Sequence, residues 1–410
     1  MSLGVCTYYC IMKKKINILH FVPYYLPHIW WLENFVYEFS VKRAYYWCGS
    51  SVVLTSNIGQ NFEKSIAKKD LILDKCWQVI WYKRENTKVY SIPSFELIKN
   101  FPIPKFWDKR FFTILRSISK EENDIIITHT RFFIYTLLWV LFSKFYNIRS
   151  VHIEHGSDFV LLKNSLFTFL AYLYDIAIGR IVLKTVNEIV SISNATSKFM
   201  SEKFNVDSKH VIYRWYNDFY KELDKDSNIK IVFIGRLVKL KWVELLIDVY
   251  QELSKNDINI ELFVFGDGPE RDLIEIYITK NEVQSIHLLW YKNIEYIQNF
   301  LLNHKCVILM PSLQEWLWTV AIEWLLSKNI VVASDAWGIK EVSHEWDLLI
   351  FESWNKYAMV HSILSAIQNY DSLSGISHNL VKEKFSRERN IKQYKLLFES
   401  ILSKQSKEMH

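Results

Sequence analysis

Glu315 and Glu323 lie eight residues apart in the stretch "SLQEWLWTVAIEWLL", which follows Pro311 and runs into apolar positions. The residues before it, "CVILM", read as a buried strand. A helix beginning near Trp318 or Thr319 presents free backbone N–H groups from the 317 to 320 region. Such a terminus binds phosphate through those donors and through its dipole. Glu315 then sits in the loop before the helix, and Glu323 lies just over one turn inside, where it can look back at the same ligand. Carboxylates accept hydrogen bonds from vicinal hydroxyls, so one suits a sugar and the other a ribose. The plainer reading is an acidic first turn that complements the helix dipole. It accounts for neither the loop glutamate nor the Pro-Ser before it.

Other residues able to do chemistry also fall at strand ends. "GRLVKLKW" places Gly235 and Arg236 after an apolar run, with Lys241 five residues on. Two cations beside a glycine suit a diphosphate; spacing alone favours a solvated basic loop. "FGDGPER" is a fragment of a dinucleotide fingerprint without its third glycine, and a plain turn explains it as well. "SDAWGIKE" repeats the layout of a turn and then a helix at a further strand end. In the first half, His20, His28, His129, His152 and His155 lie near expected strand ends. One histidine of this kind is usually structural, but several converging on one cleft suit chemistry near neutral pH. No H-E-x-x-H, G-x-S-x-G or Walker pattern occurs.

Alternating strands and helices must hold these residues. "INILHFV", "SVVLTS", "DIIITHT", "SVHIEHGS" and "EIVSISN" read as strands of a first series. After the polar stretch "NDFYKELDKDSN" come "IKIVFIG", "IELFVFG", "IHLLW", "CVILMPS", "IVVASD" and "LLIFE". Helical patterns lie between most of them, which argues for two parallel sheets covered on both faces. In such sheets ligands bind at the carboxyl ends of strands. The expected organisation is an extension over residues 1–11, a first domain over 12–216 and a second over 217–385. A helix over about 386–405 is free to pack back on either.

Composition narrows the class. Half of the 410 residues are apolar, 23% are charged and the net charge is +6. That balance suits a soluble globular chain with anionic small ligands or a membrane surface as partners, and carries no nucleic-acid footprint. Five scattered cysteines form no disulfide framework and no zinc pattern. The apolar segments "FFIYTLLWVLF" and "SLFTFLAYLYDIAIG" fall short of a membrane span and are expected as buried or interfacial helices. The basic, aromatic "KFWDKRFFTILRSISK" reads both as a contact for an anionic membrane surface and as a solvated helix edge.

Taken in order, "GRLVKLKW", "GDGP", "PSLQEWLWTVAIE" and "WGIKE" resemble the retaining glycosyltransferases of family 4. That family runs G-R-L-x-x-x-K-G, G-D-G-P, P-S-x-x-E-G-x-G-x-x-x-x-E and G-G-x-x-E. "PHIWWLE", "THTR", "EHGS" and "VSISNATSKFM" extend the resemblance to most of residues 12–405. It implies an α/β chain of the GT-B fold: two Rossmann-like, doubly wound domains facing each other across a cleft. The implied activity moves a hexose-type sugar from a nucleotide-sugar to a glycan, lipid-linked or other glycoconjugate acceptor of the cell envelope. By the resemblance, Gly235, Arg236 and Lys241 bind the donor diphosphate. Glu315 contacts the transferred sugar, Glu323 holds the ribose, and the segment Trp316, Leu317, Trp318, Thr319 and Val320 offers its amides to phosphate. Trp30 and Trp31 form a loop near the phosphates and the acceptor. His129 stands close to the reacting sugar, and His155 lines the same cleft. No metal and no cofactor are implied. The expected setting is the cytoplasm or the inner face of the membrane.

One departure is systematic. Trp30, Trp31, Trp242, Trp290, Trp316, Trp318, Trp337 and Trp346 stand at family glycine positions, and Trp215 and Trp354 are placed with them. The chain has 10 glycines and 16 tryptophans, where ordinary usage gives roughly 29 glycines. Drift does not choose one replacement for one lost residue type. The expectation is that many of these codons are UGA, read as glycine in the source lineage and as tryptophan here. If the tryptophans are genuine, the chain reads instead as an inactive sugar- or nucleotide-binding protein. A sugar-nucleotide epimerase or a phosphorylase of the same fold is the other alternative.

Overall fold

The computed structural model describes residues 15–25, 31–47, 50–58, 71–73, 79–84, 87–98, 101–156, 158–160, 165–216, 225–255, 260–311, 319–335 and 349–408. The chain divides into two units, one of residues 1–214 with 390–410 and one of Trp215–Arg389.

The first unit is built on a nine-stranded sheet. Its strands are β1 (Ile18–Phe21), β2 (Ser51–Ser56), β3 (Leu71–Leu73), β4 (Val79–Arg84), β5 (Thr87–Ile92), β8 (Ile125–His129), β9 (Arg149–Glu154), β10 (Glu188–Ser191) and β11 (His210–Val211). The order is β11-β10-β9-β8-β1-β2-β5-β4-β3, parallel except where β4 pairs with β5 and β3. The expected apolar runs form β1, β2, β8, β9 and β10. They are buried along their length because helices cover both faces. The β3–β5 edge and a separate hairpin, β6 (Ser94–Ile98) with β7 (Phe101–Pro104), were not anticipated. Their runs are short and carry charges or prolines, so they read as connections.

Alternation along β1 sorts its side chains. Leu19 and Phe21 join a core with Val52, Leu54, Ile126 and Trp139. The Trp139 ring of α3 (Ile134–Phe145) lies 5.8 Å from that of Phe21. His20 points the other way, against Phe39 of α1 (Trp31–Trp47), with ring centroids 5.2 Å apart. A fully buried Phe or Leu of this kind contributes about 1.5–3 kcal/mol by leaving water. The final helix, α13 (Arg387–Glu408), backs α1: Tyr394 packs edge-on against Phe39 at 5.0 Å.

Helix α2 (Lys109–Ser119) is capped by Asp108, which accepts from the Arg110 amide and buries Phe111, Ile114 and Ile118. Helix α4 (Ser165–Tyr174) continues through a π turn (Asp175–Gly179) into α5 (Arg180–Thr185). Of the two long apolar segments, expected as buried or interfacial, α3 buries one face with Tyr135, Trp139 and Val140 and exposes Leu141 and Phe145. In helix α4 none of the ten residues is buried.

The second unit carries a six-stranded parallel sheet in the order β14-β13-β12-β15-β16-β17. The strands are β12 (Asp226–Ile234), β13 (Leu262–Phe265), β14 (Ile286–Trp290), β15 (His304–Met310), β16 (Ile330–Ser334) and β17 (Ile350–Phe351). Helices α7 (Val243–Ser254), α8 (Arg271–Asn281), α9 (Ile294–Asn303), α10 (Thr319–Leu326), α11 (Lys356–Gln368) and α12 (Tyr370–Lys384) connect or cover them. One core joins Phe233, Leu246, Val264, Val307, Val332 and Ile363 across this sheet.

Both units are doubly wound. The strand order reverses between β1 and β8 in the first, and between β12 and β15 in the second. These are the places where a crevice opens beyond the carboxyl ends.

Candidate active site

In the second unit, β12 runs out at Ile234 into Gly235, exposed Arg236 and buried Leu237. A single 3-10 turn, Lys239–Lys241, then leads into α7. The Lys241 side chain is half-exposed, and its amide donates to the Val238 carbonyl at 2.8 Å. β13 runs out into the parallel turn Gly266-Asp267-Gly268. The two turns share hydrogen bonds: Gly235 N–H to the Phe265 carbonyl, Leu237 N–H to the Asp267 carbonyl and Glu270 N–H to the Leu237 carbonyl, each 3.0 Å.

This contact explains two glycines. Gly266 has φ +140°, and a Cβ on it would lie 1.8 Å from the Gly235 carbonyl oxygen. A Cβ on Gly268 would lie 2.3 Å from the Leu237 carbonyl oxygen. From sequence alone "GDGP" reads as either a fingerprint fragment or a plain turn. In the structure it is a turn whose glycines let it lie backbone to backbone against the "GRL" turn. Gly235 differs, because a Cβ there would meet only the Phe233 ring at 3.4 Å, an ordinary contact.

Beyond β15, on the other side of the β12/β15 reversal, Pro311 is buried and α10 begins at Thr319. Glu315, Trp316, Leu317 and Trp318 lie outside the described residues, as does Trp30; Trp31 opens α1. Val320 and Glu323 are half-buried on α10, with Ala321 and Ile322 in the core between them. The structure therefore brings the Gly235 turn, and the start of the helix that carries Glu323, to the two adjacent strands of the reversal.

Three tryptophans of the glycine-position set have left-handed backbone: Trp242 (φ 49°), Trp290 (φ 53°) and Trp354 (φ 71°). This conformation costs an L-residue about 1–2 kcal/mol and a glycine nothing. Trp242 and Trp354 meet edge to face at 4.6 Å, and the Arg271 guanidinium lies 3.6 Å from the Trp290 ring centre.

In the first unit, the reversal between β1 and β8 gathers imidazoles. His20 on β1 stacks on His129 at the end of β8, with centroids 5.8 Å apart. His129 Nδ1 and His155 Nε2 are 3.1 Å apart. Phe35 of α1 packs edge-on against both. All three histidines are buried. Burial, and then its neighbouring imidazoles, hold His129 well below the ordinary histidine value. Burial takes His155 down to about 3. At neutral pH both are uncharged rings, able to donate or accept one hydrogen bond but not to act as cations. His129 Nε2 is buried with no hydrogen-bond partner among the described residues.

A buried charge network fixes this cluster. Glu154, the last residue of β9, accepts from the amides of Arg131, His155 and Gly156 and lies 3.1 Å from His152 Nε2. Arg131 bridges Glu154 at 3.2 Å and Asp175 in the π turn at 2.8 Å, beneath the rings of Phe199 and Phe204. Burial opposes the Glu154 charge, but Arg131 and the hydrogen bonds outweigh it and keep the carboxyl well below the usual range. Asp175 lacks those amides, and burial pushes it up to about 6. Thr130, between His129 and Arg131, has φ 58°. A β-branched residue in that region is strained, and such residues cluster at functional sites. The motifs "THTR" and "EHGS" contain Arg131 and Glu154, but nothing local in the sequence marks a role for these two or for Asp175. Their separation along the chain leaves no local signal.

Residues 217–383 match the family model described as Glycosyl transferases group 1. An uncharacterized glycosyltransferase of Methanocaldococcus jannaschii is 28% identical over 419 residues, covering 95% of this chain and all of that one. The GPI3 subunit of phosphatidylinositol N-acetylglucosaminyltransferase from Saccharomyces cerevisiae is 22% identical, over 80% of this chain and 69% of that one. Among solved structures, HepE of Anabaena in complex with UDP superposes with a TM-score of 0.62 at 15% identity, over 94% of this chain and all of that one.

Proposed function

We propose that this chain is a group 1 glycosyltransferase of the GT-B fold and transfers a hexose-type sugar from a nucleoside diphosphate donor with retention at the sugar carbon. The acceptor is a glycan, a lipid-linked sugar or another glycoconjugate, and the reaction belongs to the cytoplasm or the inner membrane face, in building the cell envelope or a polysaccharide. The observation that carries the reading is the pair of backbone-locked turns at the β12/β13 ends, which present Arg236 and lead to Lys241, with Glu323 on the helix that follows the neighbouring strand β15. UDP bound by HepE supports a nucleotide donor, and the phosphatidylinositol of the yeast relative's name supports a lipid-linked acceptor.

In this reading Arg236, Lys241 and the amides from Leu317 to Val320 neutralise the departing diphosphate. Glu315 orients the transferred sugar and Glu323 holds the ribose. The neutral His129 ring offers its Nε2 to a sugar hydroxyl, and His155 fixes its orientation. The bond from the sugar carbon to phosphate breaks, and the acceptor oxygen bonds on the same face. The acceptor proton leaves with the phosphate oxygen, so the step needs no protein nucleophile. Trp30 and Trp31 stand near donor phosphates and acceptor, with Trp31 at the first position of α1 rather than in the loop expected from sequence.

The reading holds for glycine at the tryptophan positions, including 316 and 318. The left-handed Trp242, Trp290 and Trp354 favour that assignment over a genuine Trp-bearing binding protein. Peptide mass spectrometry of the native protein should return glycine masses there; tryptophan masses would sink the recoding. In the glycine-bearing protein, labelled nucleotide-sugar should pass to an added acceptor. Lys241→Ala and Glu315→Ala should each lower turnover by roughly 10²-fold or more, the scale of a lost transition-state contact. Full activity in both variants would overturn the donor-site assignment, and donor conversion without acceptor would point to an epimerase.

A further inference from the structure

Helix α4 exposes the apolar side chains that a soluble surface avoids. Leu166, Phe167, Phe169, Leu170, Tyr172 and Leu173 are all exposed, with Leu166 at 62% and Phe169 at 56%. At about 100° per residue these six spread over an arc of roughly 220°. A flat protein partner covers one face of a helix, whereas acyl chains surround it. Together with the π turn and α5, α4 makes a 21-residue helix apolar enough to cross a membrane. Its second half is committed elsewhere, since Asp175 is paired with Arg131 and Gly179, Val182 and Leu183 are buried in the first unit. The ten residues of α4, at 1.5 Å each, reach about 15 Å, half of a hydrocarbon core of roughly 30 Å.

Exposed cations lie on and beside this helix, along with the exposed acids Asp158 and Glu96. Arg180 and Lys184 are exposed on the same helix, whose one acid, Asp175, is buried. The β6–β7 hairpin links α4 to the basic, aromatic entry of α2. Phe101 packs on Tyr174 at 5.9 Å, and Phe95, paired with Ile103, packs on Trp107 at 5.6 Å. Trp107 is 71% exposed, and Lys109, Phe112 and Arg116 are exposed beside it. Asp108, the acid of that segment, is held by Arg110. Exposed aromatics ringed by cations are the composition of a bilayer interface.

We infer that α4 inserts into one leaflet of an anionic lipid bilayer, with Trp107 and Phe112 at the headgroup level and Arg180, Lys184, Lys109 and Arg116 on the phosphates. The inference builds on the membrane-side acceptor proposed above, but its test reads lipid binding alone.

The full chain is sedimented with vesicles of phosphatidylcholine and phosphatidylglycerol at about 70:30, and with phosphatidylcholine alone. Wild type should bind the mixed vesicles at least about tenfold more tightly than the neutral ones, the attraction expected of several basic side chains near an anionic surface. The Leu166→Asp/Phe169→Asp/Leu170→Asp variant should lose binding to both by about tenfold or more. Arg180→Glu/Lys184→Glu should lose the preference for the anionic lipid. UDP affinity, measured in the same samples, should not change. It serves as the check on folding, and its absence in wild type would count against the donor reading rather than this one. Undiminished vesicle binding by the triple aspartate variant, or none by wild type, would overturn the proposal. A dimer in wild type that the triple variant dissolves, with no vesicle binding, would assign the surface to a second copy instead.

Discussion

Gly266→Ala tests the turn pair most directly. The added Cβ would sit 1.8 Å from the Gly235 carbonyl oxygen at a φ of +140°. No rotamer relieves the clash, because both groups are backbone and both are tied: Gly235 N–H to the Phe265 carbonyl and Gly266 N–H to the Trp290 carbonyl, each at 3.0 Å. Reaching ordinary contact needs a shift of about 1.5 Å. Overpacking costs about 1–3 kcal/mol and a backbone state reserved for glycine about 1–3 more, so the loss is about 2–6 kcal/mol. For a unit spanning residues 215–389, each kcal/mol moves the midpoint by about 2–4 °C. The melting transition of the second unit should therefore fall by about 5–20 °C in calorimetry. Because Gly235 carries Arg236 with it, UDP titration should show a loss of tenfold or more, the scale set by a misplacement of about 1 Å. Gly375→Ala is the control. It lies inside α12 with nothing within 4 Å of the new methyl, and should gain about 0.5–1 kcal/mol. A Gly266→Ala protein that melts within about 2 °C of wild type would refute the packing argument.

Gly235→Ala should part stability from binding. Its Cβ meets only the Phe233 ring at 3.4 Å, so melting should hold within about 2 °C while UDP affinity drops about tenfold if the donor backbone approach is real. Unchanged affinity would remove Gly235 from the site. Arg131→Met should strand Glu154 and Asp175 as unpaired buried carboxylates and cost about 3–5 kcal/mol in denaturant unfolding; a near-neutral variant would show the network to be dispensable. His155 is held at about 3 by burial, below its unfolded value of about 6.5. The unfolded chain alone takes up that proton, so stability is full above pH 6.5 and falls as the pH drops toward 3. At pH 5 the His155 share is about 2 kcal/mol. Asp175, raised to about 6, runs the other way and loses stability as pH rises through that value. The readout is therefore the difference between wild type and His155→Gln, which should widen from pH 7.5 to 5 in favour of the variant. A constant difference would mean that His155 titrates normally.

Parallel strands with long apolar runs were legible because both faces are covered, and each motif glycine or cation sits just past such a run. That made the β12 and β13 turns readable from "IKIVFIGR" and "LFVFGDG". The imidazole cluster was readable only as several histidines near strand ends. What joins His129 to His155 is the parallel pairing of β8 with β9, which brings residues 26 apart into contact. The Arg131–Asp175 pair spans 44 positions, and the left-handed Thr130 leaves no mark on residue types. Prolines at 93, 102 and 104 hid the β6–β7 hairpin, which an isolated edge tolerates. Exposure of α4 was hidden too, since an apolar run reads alike in a core and on a surface.

The first unit is not continuous in the chain. Residues 390–410 complete it after the whole second unit has been written, and Tyr394 seats on Phe39. Synthesis proceeds at about 5–20 residues per second, so α1 waits roughly 10–35 s for its partner while residues 215–389 emerge. During that interval the surface around Phe39 is open to solvent. The order of completion is thus inverted, with the later unit able to close before the earlier one. Truncations near the C-terminus should accordingly damage the unit farthest from them in sequence.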